Sequence, residues 1–597
     1  MCAINGFNFS DPALIARMNR VTRHRGPDAT GVFEGSGMTL GHHRLSIIDL
    51  SERAAQPMRD ESGRFVIVFN GEIYNFKELR AELQNEFRFR SESDTEVILN
   101  LYKKYGRECV KKLNGIFAFA LWDETRRELF LARDHNGVKP LYYFFDPSSA
   151  SGQARLIFSS EIKAILEHNV AREVDRDAFA LYMRLLYVPA PYTGFKGIKK
   201  LPPAHWLALS GGKIEMGKYW EVTDLSDLTD REEATKQVRA LFDDSVQRQL
   251  ISDRPVGVFL SGGSDSTAVL GAAAKVHSGP LETFSVGFEV PEQSEKFNAD
   301  LFLARKTAEH YGTEHHELMI NAHEVGENLE KIAWHLDEPN GNPTAAAIFL
   351  LSRLAKERVA VVLGGDGADE LFGGYRRYAL ARLRRLWHGP TGTLLSFMSQ
   401  KESALGSVLA PEFRWSAAAR THFNPFLAHA GHGDAFVKRF MNTDRQSWLT
   451  DDSLLRSDKM TMAAGLEARV PILDHRLILL AYRIPTRWKV RGLGLLDAAF
   501  QGKEIWNEAI ANYLPPHLAG QPKRGWFTPM AKWVRGELRA RVGEILSPQN
   551  LNTDFFDAPS VWKMWESHLS GAVYNLNLIW AIVAWELWYK EFFTKKS

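Results

Sequence analysis

Val258-Phe-Leu-Ser-Gly-Gly-Ser-Asp-Ser-Thr267 runs from an apolar strand into a Gly-Gly turn and on into an Ala/Leu-rich helix over Thr267–Val276. The strand, Val256–Leu260, is a continuous apolar run, the pattern of a strand buried on both faces. Downstream, Thr283–Phe288 and Val359–Leu363 are two more buried-strand candidates separated by helical stretches. That alternation predicts an α/β unit, a parallel sheet with helices on both faces. Beyond about Tyr375 the chain is rich in Leu, Arg and Trp at helical spacing, so its C-terminal part reads as helical. Residues 376–450, with Arg376-Arg377 and Arg382-Leu-Arg-Arg385, read either as a specificity region or as a helical insertion with a solvated basic face.

Upstream the texture differs. Phe65–Phe69, Phe117–Trp122, Leu129–Ala132 and Leu141–Phe145 are short runs rich in Val, Ile, Phe or Tyr, separated by turns. Such spacing predicts antiparallel sheet rather than repeated βαβ units. Gly211–Gly212 and the acidic stretch Glu221–Asp230 suggest a boundary, giving units at 2–208 and 230–597 with a linker at 209–229. With 597 residues, more than one domain is expected.

Composition excludes several classes. Hydrophobic residues at 45% and charged residues at 24% exclude a mainly disordered chain. With 74 basic against 72 acidic residues, no global field recruits nucleic acid or an anionic membrane. Two cysteines, Cys2 and Cys109, are too few for a disulfide scaffold and suit a reducing compartment, so a cytoplasmic protein is expected. The apolar run Leu578–Trp585 is interrupted at Glu586, far short of the roughly 20 residues a bilayer crossing needs.

Two groups of motifs carry chemistry. Cys2 follows Met1, and removal of that methionine would place a free α-amine, pKa about 7.7–8.0, beside the thiol as its base. Arg44 offers a planar fork to a carboxylate, Glu72 and Asp94 offer carboxylates to an ammonium, and Asn70-Gly71 offers amides to an oxyanion. Singly, Asn70-Gly71 reads as a hairpin turn and Arg44 as a surface ion pair; together they make a receptor for free glutamine. In the second half, Ser261, Gly262, Gly263 and Ser266 form a Ser/Gly loop at a helix start, a phosphate cradle without the Gly-Lys-Ser/Thr of ordinary P-loops. Val361-Val-Leu-Gly-Gly-Asp-Gly-Ala-Asp-Glu370 ends a strand in glycines and acids, so Asp265 and Asp369 are the natural pair for Mg²⁺, which takes one or two carboxylates plus phosphate oxygens.

The first group, with Leu131-Ala-Arg-Asp-His-Asn-Gly-Val-Lys-Pro140 and Ser159-Ser-Glu-Ile-Lys-Ala164, resembles the class II glutamine amidotransferase domain. The resemblance implies a four-layer αββα sandwich of the N-terminal-nucleophile type. It carries the nucleophile onto Cys2, carboxylate binding onto Arg44, the oxyanion hole onto Asn70 and Gly71, and amine binding onto Asp94 with Glu72. Ala3 departs from the Gly usual after that cysteine. The second group, with Leu466-Glu-Ala-Arg-Val-Pro-Ile-Leu-Asp-His475 and Pro522-Lys-Arg-Gly-Trp526, resembles the ATP-pyrophosphatase-type synthetase domain of glutamine-hydrolysing asparagine synthetases. This implies that Ser261, Gly262, Gly263, Asp265 and Ser266 hold pyrophosphate. Leu260, Val286 and Gly365 border the adenosine, Asp265 and Asp369 bind Mg²⁺, and Lys523 neutralises departing pyrophosphate. Asp366, where asparagine makers often carry Glu, and Gly364, where Ser is usual, face the acceptor.

The expected activity is glutamine- and ATP-dependent amidation of a carboxylate through an acyl-adenylate. Aspartate is the default acceptor, but the shorter Asp366 and the hydroxyl missing at Gly364 lead to the expectation that aspartate is a poor acceptor and a larger carboxylate is preferred. The alternatives are another carboxylate, such as a sugar acid or natural-product intermediate, or an intramolecular amide former of the β-lactam synthetase type. Family members often form dimers.

Overall fold

The computed structural model describes the chain apart from residues 1, 36, 149–153, 224, 291–292, 399, 415–416, 428–432, 492–499, 519–520, 522–527 and 596–597, and the side chains of 382–387 and 398. Its first half holds strands β1 (Ala3–Phe7), β2 (Ala29–Gly35), β3 (Met38–Arg44), β4 (Met58–Arg59), β5 (Phe65–Ile73), β6 (Gly115–Asp123), β7 (Glu128–Arg133), β8 (Tyr142–Asp146), β9 (Arg155–Ser159), β10 (Ile198–Lys200), β11 (His205–Ser210) and β12 (Lys213–Lys218). They form two six-stranded antiparallel sheets, in the orders β10-β8-β9-β1-β3-β2 and β12-β11-β7-β6-β5-β4.

The apolar run of β5 follows from its place between layers. Val66 and Val68 pack against Ile4 and Leu40 of the facing sheet, while Ile67 and Phe69 pack on Val97 and Leu101 of the helix Asp94–Tyr105. Both faces are covered, so alternation with polar residues disappears. β1 and β3 were not legible as strands because polar side chains interrupt them. Those side chains are satisfied inside: Asn5 donates to Asn19 Oδ1 (2.9 Å) and Thr22 Oγ1 (3.0 Å). The Gly211–Gly212 turn, taken above as the start of a linker, is a hairpin between β11 and β12, so the second sheet runs on to Lys218.

The second half contains a five-stranded parallel sheet, β15-β14-β13-β16-β17, from β13 (Val256–Phe259), β14 (Glu282–Phe288), β15 (Glu314–Ile320), β16 (Val361–Leu363) and β17 (Glu467–Arg469). Helices fill the chain between β16 and β17, including Arg376–Met398 and Gly433–Asp444 in the region of the basic motif, and continue after β17. The side chains of Arg382–Arg385 lie outside the described residues, whereas Arg377 is turned inward, 2.7 Å from Asp444. The last helix, Leu576–Tyr589, is apolar around most of its girth because it lies between the two halves. Tyr182 Oη donates to Ala581 O (2.7 Å) and Trp588 Nε1 to Asp337 O (2.7 Å). Among the described residues no helix is long and apolar enough to cross a membrane.

Candidate active sites

Cys2 heads β1 and is buried beside the far end of β5. Its backbone nitrogen donates to Asn70 Oδ1 (3.1 Å), and its carbonyl accepts from the buried Arg25 Nε (3.2 Å). With Oδ1 so engaged, Asn70 Nδ2 is buried with no hydrogen-bond partner among the described residues. A stranded donor beside a nucleophile is what an oxyanion requires. Gly71 is required sterically: a Cβ there would stand 2.1 Å from Ile116 O on β6. Burial pushes the Cys2 thiol up, while the Leu45 amide and Arg44 pull it down.

Two acids complete this end. Asp94 opens a helix; Oδ2 accepts from Ile73 N (2.9 Å), and burial lifts its carboxyl to about 6. Glu72 is buried and raised well above the usual carboxylate range, first by burial and then by Glu467 and Asp94; Arg469 opposes this. Arg44 donates Nη1 to Ser51 O (2.9 Å) and Nη2 to Asp49 O and Ile48 O (3.4 Å). Its fork pins the loop 48–51, and a substrate carboxylate would meet only the donors left over.

At the ATP end, Gly262 (φ +76°) packs so closely that a Cβ would lie 2.1 Å from Asp300 O. Gly263 precedes the helix Ser264–Ala274 with no side-chain cap, leaving first-turn amides without a side-chain acceptor. Ser261 and Ser266 share a hydroxyl contact of 2.9 Å. Leu260 follows β13 and Val286 lies within the neighbouring β14, Leu260 N donating to Phe284 O (2.9 Å). Gly365 lies against this loop, where a Cβ would meet Ser266 N at 2.7 Å. Asp366 accepts from Ser453 Oγ (3.2 Å), and burial raises its carboxyl against the pull of Arg456. Asp265 and Asp369 are brought together by Lys503, whose Nζ is 2.7 Å from Asp265 Oδ2 and 3.2 Å from Asp369 Oδ1. Trp506 Nε1 donates to Asp265 Oδ1 (2.8 Å). Lys523 lies outside the described residues.

Residues 237–590 match the asparagine synthase family, and residues 1–220 match the glutamine amidotransferase domain family. Asparagine synthetase [glutamine-hydrolyzing] 1 of Bacillus subtilis (strain 168) is 33% identical, over 96% of this chain and 93% of that protein. The chain belongs to the asparagine synthetase family. Asparagine synthetase [glutamine-hydrolyzing] 3 of Bacillus subtilis is 35% identical over 84% of each chain. A putative glutamine-hydrolysing asparagine synthetase of Mycobacterium tuberculosis (strain H37Rv) is 33% identical over 97% of this chain and 93% of its own. The chemistry of this family is glutamine-dependent, ATP-driven amidation, and the chain is a glutamine-hydrolysing carbon–nitrogen ligase.

Two residues of this chain escaped the sequence reading. Lys503 stands 238 positions from Asp265, in an unremarkable Gly502-Lys503-Glu504, and nothing local announces it. Arg469 lies inside the quoted Leu466–His475 motif, yet only the strand pairing of β17 shows that its side chain turns toward Glu72, at 3.6 Å.

Proposed function

We propose that this member of the family uses aspartate as acceptor, with the residue roles set out here. Cys2 Sγ attacks the glutamine side-chain carbonyl after passing its proton to the α-amine freed by loss of Met1. Ammonia leaves, and water hydrolyses the thioester to glutamate. Asn70 Nδ2 and Gly71 stabilise the oxyanion, Asp94 and Glu72 hold the substrate ammonium, and the remaining donors of Arg44 hold its carboxylate. At the other end an aspartate carboxylate oxygen attacks the α-phosphorus of ATP, pyrophosphate leaves, and ammonia displaces AMP from the acyl carbon to give the amide. Leu260, Val286 and Gly365 line the adenosine, and the Ser261–Ser266 loop holds the phosphates.

The observation that supports this reading is the close approach of Gly365, the residue before Asp366, to Ser266 of the Ser261–Ser266 loop. Asp265 and Asp369, close enough to share one ammonium, are a donor set that fits Mg²⁺ together with phosphate oxygens. When bound, that ion would neutralise phosphate charge. Lys503 adds cationic charge beside this pair, and the motif assigns Lys523 to neutralising the departing pyrophosphate.

Asp366 and Gly364 suggested a different acceptor, on the ground that polar partners vanish beside them. Ser453 answers that concern, since its hydroxyl reaches the shorter carboxylate. Relatives named asparagine synthetases at a third identity support aspartate over a sugar acid, a natural-product carboxylate or an internal cyclisation. Two buried, unpaired thiols suit a cytosolic setting. Steady-state kinetics with aspartate test the proposal. A kcat/KM on the order of 10⁴ M⁻¹s⁻¹ is expected; pyrophosphate release that ignores aspartate but responds to another carboxylate would overturn it.

A further inference from the structure

β17 pairs with β16 in the register Val361↔Glu467, Val362↔Ala468 and Leu363↔Arg469. Arg469 O accepts from Gly364 N (2.8 Å), so its backbone belongs to the acceptor wall. Its side chain runs the other way, fully buried, into the glutaminase half. Nη1 donates to Gln249 O and Ile251 O (2.7 Å each), Nε to Glu467 Oε1 (2.5 Å), and Nη2 stands 3.6 Å from Glu72 Oε1. Nη2 and Glu72 Oε2 are both buried without a hydrogen-bond partner among the described residues. Polar groups left open on both sides of a domain boundary, next to the proposed ammonium-binding acids, mark a site assembled from two domains.

We propose that Arg469, supplied by the synthetase domain, is a positioning residue of the glutamine site that orients Glu72 and favours its charged, ammonium-binding form. The proposal rests on the reading of Glu72 as a glutamine-binding residue. The physical need is plain. The titratable and charged groups facing Glu72 are Glu467 and Arg469 from β17, Asp94 from the helix Asp94–Tyr105, Tyr74 beyond the end of β5, Cys2 and the amino-terminal charge. Two of these are carboxylates that repel its charge, and burial opposes it further. Arg469 is the guanidinium among them, and it stays charged at any working pH. Without it burial and the two carboxylates would be opposed by the amino-terminal charge alone, and Glu72 would hold its proton more tightly still.

Glutamine KM in the full-length enzyme, followed as glutamate release from pH 6.5 to 9, tests this. Arg469→Gln should raise KM at pH 7 by about tenfold or more with little change in kcat, and the defect should shrink toward pH 9 as Glu72 ionises unaided. Glu467→Gln leaves Arg469 with one carboxylate fewer to serve, so KM should fall or hold still. A KM rise in Glu467→Gln matching that of Arg469→Gln, or a pH-independent defect, would overturn the proposal by showing that the strand is merely disturbed. This second variant also decides the matter if Arg469→Gln does not fold. Glu72→Gln separates the underlying reading: if it leaves KM unchanged, Glu72 does not bind glutamine. If it raises KM while Arg469→Gln does not, only the role of Arg469 falls.

Discussion

At the glutaminase end Glu72 and Asp94 are buried with their carboxyls held up by burial, whereas at the ATP end Asp265 and Asp369 share the ammonium of Lys503. Both ends gather acids, but for different visitors. The first pair has one guanidinium near Glu72, at 3.6 Å, and on the proposed reading an incoming ammonium completes it. The second pair arrives already compensated, held close together by Lys503 before any cation is exchanged against phosphate. A buried carboxylate therefore announces a site only when its counter-charge is also located.

The sharpest way to break this division is Cys2→Ala. Glutamine-dependent synthesis should fall by about 10⁴-fold or more, with ammonia-dependent synthesis largely kept, because nucleophile and adenylating loop lie in different domains. Parallel assays of AMP with each nitrogen source check it, and equal loss of both would dissolve the two-site picture. Next in size, Asp265→Asn and Asp369→Asn should each lower AMP formation by about 10²- to 10³-fold while sparing glutamate release. Asp265→Asn should cost more, since Lys503 and Trp506 both hold that side chain.

Asp94 sharpens the comparison through pH. Its folded value of about 6 lies above the ordinary carboxylate value of about 3.9. The folded state therefore binds that proton more tightly, and the stability it lends is full below about pH 3.9 and lost as pH rises to about 6. Glutamine needs the charged form, so KM for glutamine should climb as pH falls through about 6. Asp94→Asn should abolish that limb and lower kcat/KM by about 10²-fold, measured as glutamate release. The smallest effect is expected of Ser453→Ala. Loss of one hydrogen bond to Asp366, about 1 kcal/mol, should raise acceptor KM about fivefold and leave glutamine KM alone.

Much of the site was legible. Asn70, Gly71, Glu72 and Cys2 converge as expected, and so do Gly365 and the Ser261–Ser266 loop. What was not legible depends on partners far away in the chain. Arg44 reads in sequence as an open fork, but three of its contacts go to loop carbonyls that only the turn at 48–51 brings near. β1 and β3 were hidden because buried Asn5 and His43 look like surface residues until Asn19 is placed beside them.

The sequence alone determined the two-domain order, the parallel sheet, the family and most of the residue types that do chemistry. Those properties reside in local periodicity and in motifs a few residues long, where neighbours in the chain are neighbours in space. Tertiary structure decided the rest: that Lys503 joins Asp265 to Asp369, that Ser453 meets Asp366, and that Arg469 crosses from one domain to Glu72 in the other. Each is a pairing of charge or hydrogen bond over tens to hundreds of residues. Its energy depends on distance and burial, and neither exists before the chain has folded.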